Sequence, residues 1–465
     1  MKYILYLCLF SLLVSCSPEK EDHRLGQIDE YLSGQSKYFK FNGNVLVAER
    51  GEIIYEKSFG LADFDSNRQL NDSSVFELAS VSKQFTAMGI LLLEQKGVLS
   101  LQDSLRKFFP ELPYSGITIH HMLTHISGLP DYMDVMDEKW DRTRIAGNAD
   151  IVALLAQEKP EAHFKPGTKW EYSNTAFALL ASIIEKVSGQ SFKAYMQENI
   201  FDPLKMADTR VYNTRRSGER IENYAFGYIW SDSLNKHVLP DSVPDLDFVR
   251  YLDGIQGDGI INSTTADLLK WDRALANHEG LPSAAIDKLL SRHSLVDTTS
   301  NVYYGYGVML EDSEYGKQVA HGGGWPGYAT YLTRYADRDV TIIVLSNNNA
   351  ASPRISNAIA ALLHGDSVIM PYEHVSVQLD SVQLSRFEGK YKFDGEPFEL
   401  KIENDSLFLL SGGRRRLHLI PESETKVFAD NQGDTQFELQ IGNEGSRKLF
   451  LIFSGVKKNV EEIDD

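Results

Sequence analysis

Ser80-Val81-Ser82-Lys83 opens an apolar run over 84–93 that has the composition of a helix. Residues three apart on a helix share one face, with Cβ atoms about 5–6 Å apart, so the Lys83 amine reaches the Ser80 hydroxyl. The pair is a nucleophile with a proton-handling neighbour. A helix start also carries unpaired N–H groups and a partial positive charge, which favour an alkoxide or an acyl oxyanion arriving there. The chemistry such a pair could do is acyl transfer. Four residues of such common types recur by chance on the order of once or twice in a chain this long, so partners are needed from elsewhere. Two stretches offer them: Tyr172-Ser173-Asn174, and His321-Gly322-Gly323-Gly324.

The elements that must position these groups are legible from pattern. The helix that follows Ser80 stops at Gly97, a left-handed terminator after Gln95-Lys96. A loop over 164–174 carries Tyr172 and Asn174 into an apolar helix over 176–187, ended by Gly189. The segments 304–310, 318–321, 328–332 and 340–345 read as successive strands of an antiparallel sheet, with 336–339 as a turn and the strand at 321 ending in the glycines. Upstream, Leu25, Ile28, Tyr31 and Leu32 mark an amphipathic helix, and 45–48 with 53–55 form a hairpin. Gly257-Asp258-Gly259 and the helix after Thr264 read as structural, with Thr264 and Asp267 in capping-box spacing. Ser352-Pro353 starts a helix that Gly365 follows.

His120, His121 and His125 invite a metal reading, since 121 and 125 stand four apart. No glutamate follows His121 in the His-Glu-x-x-His pattern and no third ligand is evident, so helix packing and capping account for them. No metal, nucleotide or other cofactor is called for: Gly322-Gly323-Gly324 lacks the lysine of a phosphate-binding loop.

Taken in order, Ser80-x-x-Lys83, Tyr172-x-Asn174 and His321-Gly322-Gly323 resemble the motifs of the serine β-lactamase and penicillin-binding-protein superfamily. Within it the chain is most similar to the class C β-lactamase, D-alanyl-D-alanine carboxypeptidase and esterase branch, whose middle motif is Tyr-x-Asn. The likeness spans roughly 44–364 and includes Leu123-Thr124-His125-Ile126-Ser127-Gly128-Leu129 and Pro166-Gly167. It implies an α/β (α+β) fold, an antiparallel sheet flanked by helices with an all-helical subdomain. From about residue 372 short alternating segments take over, a small all-β barrel or sandwich that resembles the lipocalin-like domain appended to many such hydrolases.

The resemblance and the chemistry together assign roles. A serine hydroxyl is a poor nucleophile until a neighbouring base takes its proton, and Lys83 or the Tyr172 phenolate can be that base, given a lowered pKa. Positive potential from Lys83 and His321 favours the phenolate. Ser80 is then the acylated nucleophile, Lys83 the proton relay, and Tyr172 the base in acylation and the activator of water in deacylation. Asn174 orients Lys83 and binds a substrate carbonyl or amide. The N–H groups of Ser80 and Gly324 form the oxyanion hole, beside the substrate-binding strand of His321, Gly322 and Gly323. Many β-lactamases carry Lys-Thr-Gly where this chain has His321-Gly322, so one hydroxyl contact to a β-lactam carboxylate is missing. Esterase or D-amino-acid peptidase activity on a small molecule or short peptide is therefore the first expectation. β-Lactamase or penicillin-binding carboxypeptidase activity is one alternative, and a non-turnover binding or sensor protein with the same pocket is another. Trp325, Tyr132 and Tyr328 are candidates for an aromatic wall.

Totals bound the rest. Of the 465 residues, 47 are Lys or Arg and 65 Asp or Glu, a net charge of −18 that argues against a nucleic-acid partner. Met1-Lys2 precedes an apolar run over 3–10 and then Leu13-Val14-Ser15-Cys16, the layout of an export signal ending in a sequence that resembles the bacterial lipobox. The expected domains are a signal peptide over 1–15, a tether over 16–23, the hydrolase over 24–366, a linker over 367–374 and the all-β module over 375–465. The only two cysteines are Cys8, inside the signal, and Cys16, so the exported chain forms no internal disulfide and Cys16 is available as a lipid anchor. With Ser17 after Cys16, the lipoprotein resemblance implies the outer membrane of a Gram-negative-type cell.

Overall fold

The computed structural model describes residues 23–214, 218–297, 301–393, 395–411, 415–429, 434–442 and 446–463. The signal peptide, Cys16 and the tether up to residue 22 lie outside the described residues.

An antiparallel sheet forms the frame. Its strands in chain order are β1 (Gly43–Glu49), β2 (Glu52–Phe59), β3 (Ser294–Asp297), β4 (Val302–Tyr304), β5 (Met309–Ser313), β6 (Gly316–Trp325), β7 (Tyr328–Tyr335) and β8 (Val340–Ser346). They lie in the order β3-β4-β5-β6-β7-β8-β1-β2, so the first hairpin of the domain closes on its last strand, with Gly43 opposite Ser346. The pleat sends alternate residues to opposite faces. Leu46, Ala48, Ile343 and Leu345 enter one core with the long helices α2 (Lys83–Gln95), α3 (Asn174–Ser188) and α4 (Thr265–Asn277). Val45, Val47, Ile342 and Val344 enter another, under α1 (His23–Phe39) and α5 (Ser352–His364). A strand covered on both faces reads as a continuous apolar run, which is why 340–345 shows no polar alternation. Truncating one of these side chains, Ile343 for example, to Ala costs about 2–5 kcal/mol.

Three elements differ from the sequence expectation. The single strand read over 304–310 is two strands, broken at Gly305-Tyr306-Gly307, because that turn presses on α2: a Cβ on Gly307 would stand 2.7 Å from the Lys83 carbonyl oxygen. The strand carrying His321 runs on through the glycines to Trp325, paired residue by residue with β7. Ser80 lies in a 3₁₀ turn, Ala79–Ser82, and the α-helix begins at Lys83.

The C-terminal module is a nine-stranded antiparallel meander from Gly389–Phe393 to Glu461–Glu462, whose last short strand returns to pair with the first, leaving a nearly closed barrel. Side chains such as Tyr391, Leu407, Leu419, Phe437 and Leu451 fill its interior. The barrel sits against α1 and α5: the Tyr31 hydroxyl donates to the Ser454 carbonyl at 2.8 Å, and the Arg354 guanidinium lies 3.9 Å from the Phe453 ring centre.

Candidate active site

Ser80 is held in place from three sides. Upstream, Phe76–Glu77 pairs with Ile261–Ser263, and the Leu78 N–H donates to the Ile261 carbonyl. Inside the turn, Ser82 is fully buried and its hydroxyl accepts from the Ile261 N–H at 3.1 Å. From the sheet, Thr330 on β7 donates its hydroxyl to the Leu78 carbonyl at 2.7 Å. Ala79 pays for the turn with a left-handed φ of 47°, and Ile260 opposite it sits at 73°, a rare value for a β-branched residue. Backbone strain of this kind persists where the surroundings over-determine it, and both residues line the same cavity.

Lys83, fully buried on the first turn of α2, places Nζ 3.0 Å from Ser80 Oγ, 2.9 Å from Asn174 Oδ1 and 2.7 Å from the Asp258 carbonyl oxygen. The last two partners only accept. Of the three partners only the Ser80 hydroxyl carries a hydrogen of its own, so it is the one group among them that can pass a proton to the amine. Asn174 is the first residue of α3, after the N-cap Ser173, whose hydroxyl accepts from Ala176 N–H at 3.1 Å. Tyr172 packs its ring 4.9 Å from Lys83 Nζ, and its hydroxyl is buried without a hydrogen-bond partner among the described residues. Ser80, Lys83, Tyr172 and Asn174, distant in sequence, thus converge.

The glycine strand passes close by. A Cβ on Gly323 would lie 2.1 Å from the Leu78 carbonyl oxygen and 3.1 Å from the Ser80 nitrogen, so only glycine lets β6 approach the turn this closely. Gly324 is exposed, and a Cβ there would meet nothing within 4 Å. His321 does not face the cavity: it is buried, its Nε2 accepts from the Tyr304 hydroxyl at 3.0 Å, and its Nδ1–H donates to the Gly322 carbonyl at 2.7 Å. Burial, with Lys83 nearby, pushes the imidazole down to about 4, so the positive potential expected from His321 is absent at neutral pH.

A cavity of about 560 Å³ opens at Ser80 and is lined also by Asn174, Gly324, Asp258 and the aromatic wall of Tyr132, Trp325 and Tyr328. Tyr132 donates to Asp258 Oδ2 at 2.9 Å. Burial raises the Asp258 carboxyl above the usual range. Gly257-Asp258-Gly259 was read from the sequence as structural, and it supplies the carbonyl that holds Lys83 as well as part of the cavity wall. A backbone contact leaves no signature in residue type. Of the three histidines weighed as ligands, His121 forms the capping box with Thr118, His120 meets the Tyr306 hydroxyl at 2.9 Å, and His125 lies behind Tyr172. Among the described residues no group of His, Cys, Asp and Glu is arranged to hold a metal ion.

Comparison with known proteins agrees with this geometry. Residues 40–366 match the Beta-lactamase family model. The chain is 42% identical over 424 residues to penicillin-binding protein 4* of Bacillus subtilis (strain 168), covering 90% of this chain and 94% of that protein. Among solved structures it is similar to the octameric penicillin-binding protein homologue from Pyrococcus abyssi, with a TM-score of 0.67 and 26% identity over 94% of this chain and 99% of the other. It is also similar to a penicillin-binding protein from Bacillus halodurans, with a TM-score of 0.63 and 27% identity over 71% of this chain and 99% of the other.

Proposed function

The chain belongs to the serine β-lactamase and penicillin-binding-protein family, and from that premise we propose that it hydrolyses a small ester or amide, of the esterase or D-amino-acid peptidase type, through an acyl-enzyme on Ser80. The observation that carries this reading is the 3.0 Å approach of Lys83 Nζ to Ser80 Oγ at the base of the open cavity. Lys83 takes the hydroxyl proton as Ser80 attacks the acyl carbon. Asn174, tied to Lys83, also faces the cavity and binds the acyl group's carbonyl or amide. The N–H groups of Ser80 and Gly324 receive the oxyanion, each such donor being worth about 3–4 kcal/mol. The proton returns to the leaving group, and Tyr172 with Lys83 activates the water that releases the acyl group.

His321 and Gly322 stand where many β-lactamases place a cation and a hydroxyl, and His321 turns towards Tyr304 instead of the cavity. A carboxylate-bearing β-lactam therefore lacks its usual anchor, which favours esters and uncharged amides over efficient β-lactam turnover. The 42% identity to a protein named as penicillin-binding favours a second reading, in which penicillin acylates Ser80 and is released slowly. A fluorophosphonate or labelled penicillin tests both: it labels the wild type, and Ser80→Ala stays unlabelled. A hydrolysis screen of p-nitrophenyl esters, D-alanyl peptides and nitrocefin then ranks the substrates. An unlabelled, inert wild type overturns catalysis and leaves a binding protein.

We also place the enzyme on a lipid anchor at Cys16, exported to the outer membrane. Cys16→Ser then releases it into the soluble fraction, and a membrane-bound Cys16→Ser protein refutes the anchor.

A further inference from the structure

His125 belongs to no part of the proposed mechanism, yet its environment is more specific than packing requires. It is fully buried at a left-handed φ of 59°, a region where Asn, Asp and His are the side chains best tolerated. Its carbonyl accepts from the Glu171 N–H at 2.9 Å, and its Nδ1 accepts from the Ser173 N–H at 3.0 Å. The ring lies 4.3 Å from the Tyr172 ring, centre to centre, at 32°. One imidazole therefore grips the residue between Tyr172 and Asn174 and lies along the first of them. The connection continues outward: Ser173 caps α3, Asn174 heads that helix, and Asn174 Oδ1 receives Lys83 Nζ, which meets Ser80.

The hydrogen-bond pattern fixes the imidazole's state. Nδ1 accepts, so the hydrogen is on Nε2, and Nε2 is buried with no hydrogen-bond partner among the described residues. Protonation would set Nδ1–H against the Ser173 N–H and bury a positive charge near Lys83. The groups that face the ring are Lys83 from α2, Tyr172 and Trp170 from its own platform, Phe177 from α3, Tyr304 from β4 and His321 from β6. None of these is an anion that would reward the proton, and burial, Lys83 and His321 together push His125 well below the usual histidine range. A buried donor left unpaired is costly, and it is retained here on a ring whose other nitrogen holds the Tyr172-Ser173-Asn174 turn.

We propose that His125 is a positioning residue for acyl transfer, acting as a permanently neutral hydrogen-bond acceptor that sets Tyr172 and Asn174 against Lys83. The inference rests on the Ser80 acyl-enzyme reading. It distinguishes two amides of similar polarity: Asn places its oxygen where Nδ1 is and tolerates the left-handed backbone, whereas Gln places its terminal atoms where Nε2 is.

The test uses the full-length protein, p-nitrophenyl ester hydrolysis, thermal unfolding and the pH dependence of kcat, each rate taken well below the variant's Tm. His125→Asn is expected to keep kcat within about threefold of wild type with the acid limb of its pH profile unmoved. His125→Gln is expected to lose at least tenfold in kcat with KM changed less than threefold. A Gln variant as active as the Asn variant, an Asn variant down tenfold or more, or an acid limb that moves with His125→Asn would each overturn the proposal; the last would mean that the imidazole carries a proton. If His125→Gln does not fold, the Asn variant's kcat and pH limb decide alone. Turnover that survives Ser80→Ala would sink the acyl-enzyme reading itself, whereas an inert Ser80→Ala beside a fully active His125→Gln would sink only this inference.

Discussion

Lys83 directs its nitrogen at Ser80, Asn174 and the Asp258 carbonyl and not at the Tyr172 hydroxyl, although it lies 4.9 Å from the centre of that ring. Tyr172 is thus adjacent to the proton relay without being bonded into it. The arrangement separates two roles that residue types alone leave interchangeable, because either an amine or a phenolate can deprotonate a serine.

The expected consequence is a split between half-reactions. Lys83→Met should slow acylation by about 10³, within the range general-base catalysis supplies, while Tyr172→Phe should leave the ester burst within about tenfold and slow deacylation by about 10². Pre-steady-state bursts with a p-nitrophenyl ester separate the two steps. A burst lost in Tyr172→Phe and kept in Lys83→Met would make the phenolate the acylating base.

Adjacent glycines on β6 should respond oppositely to the same methyl group. Gly323→Ala must displace the Leu78 carbonyl and the Ser80 amide, so an activity loss of at least about 10² is expected, the scale of losing one oxyanion donor. Gly324, which lines the cavity, has nothing among the described residues within 4 Å of where an Ala Cβ would stand. Gly324→Ala should leave Tm unchanged and raise KM more for bulky acyl groups than for acetyl. A Gly323→Ala variant as active as wild type would show that the strand's close approach to the Ser80 turn does not carry the oxyanion site.

The barrel contacts α1 and α5, and none of its described residues lines the cavity. Tyr31→Phe removes the hydroxyl that donates to Ser454 and accepts from Gln35, at a cost of about 1–3 kcal/mol for the groups left buried. A lower Tm with unchanged kcat/KM is expected. A changed substrate ranking in the hydrolysis screen would tie the barrel to specificity.

How much of this was legible depended on whether the signal resides in side chains. Ser80, Lys83, Tyr172 and Asn174 were picked out by their types and order, and the structure brings them into contact; the sheet was legible because buried strands and their turns are compositionally marked. Asp258 was missed because it acts through its carbonyl. His125 was set aside because a metal was the only role its spacing could be tested against, and the acceptor role depends on a contact with residue 173 that no local pattern announces. The break at Gly305-Tyr306-Gly307 was hidden for the same reason: the helix that forces it lies two hundred residues away.

His321 provides a pH test with a definite sign. In the unfolded chain a histidine titrates near 6.5, whereas burial holds His321 at about 4 in the folded protein. Between those values the unfolded state binds a proton that the folded state refuses, so stability falls as the pH drops from about 6.5 towards 4 and this contribution levels off below it. The full loss is about 3 kcal/mol. His321→Gln cannot take up the proton, so its stability relative to wild type should rise by about 2–3 kcal/mol between pH 7.5 and pH 4.5, as denaturant titrations at the two pH values would register. His125 adds a slope of the same sign in both proteins. A constant offset between wild type and variant would mean that His321 exchanges protons as it does in water, and that the site behind the glycine strand is wet.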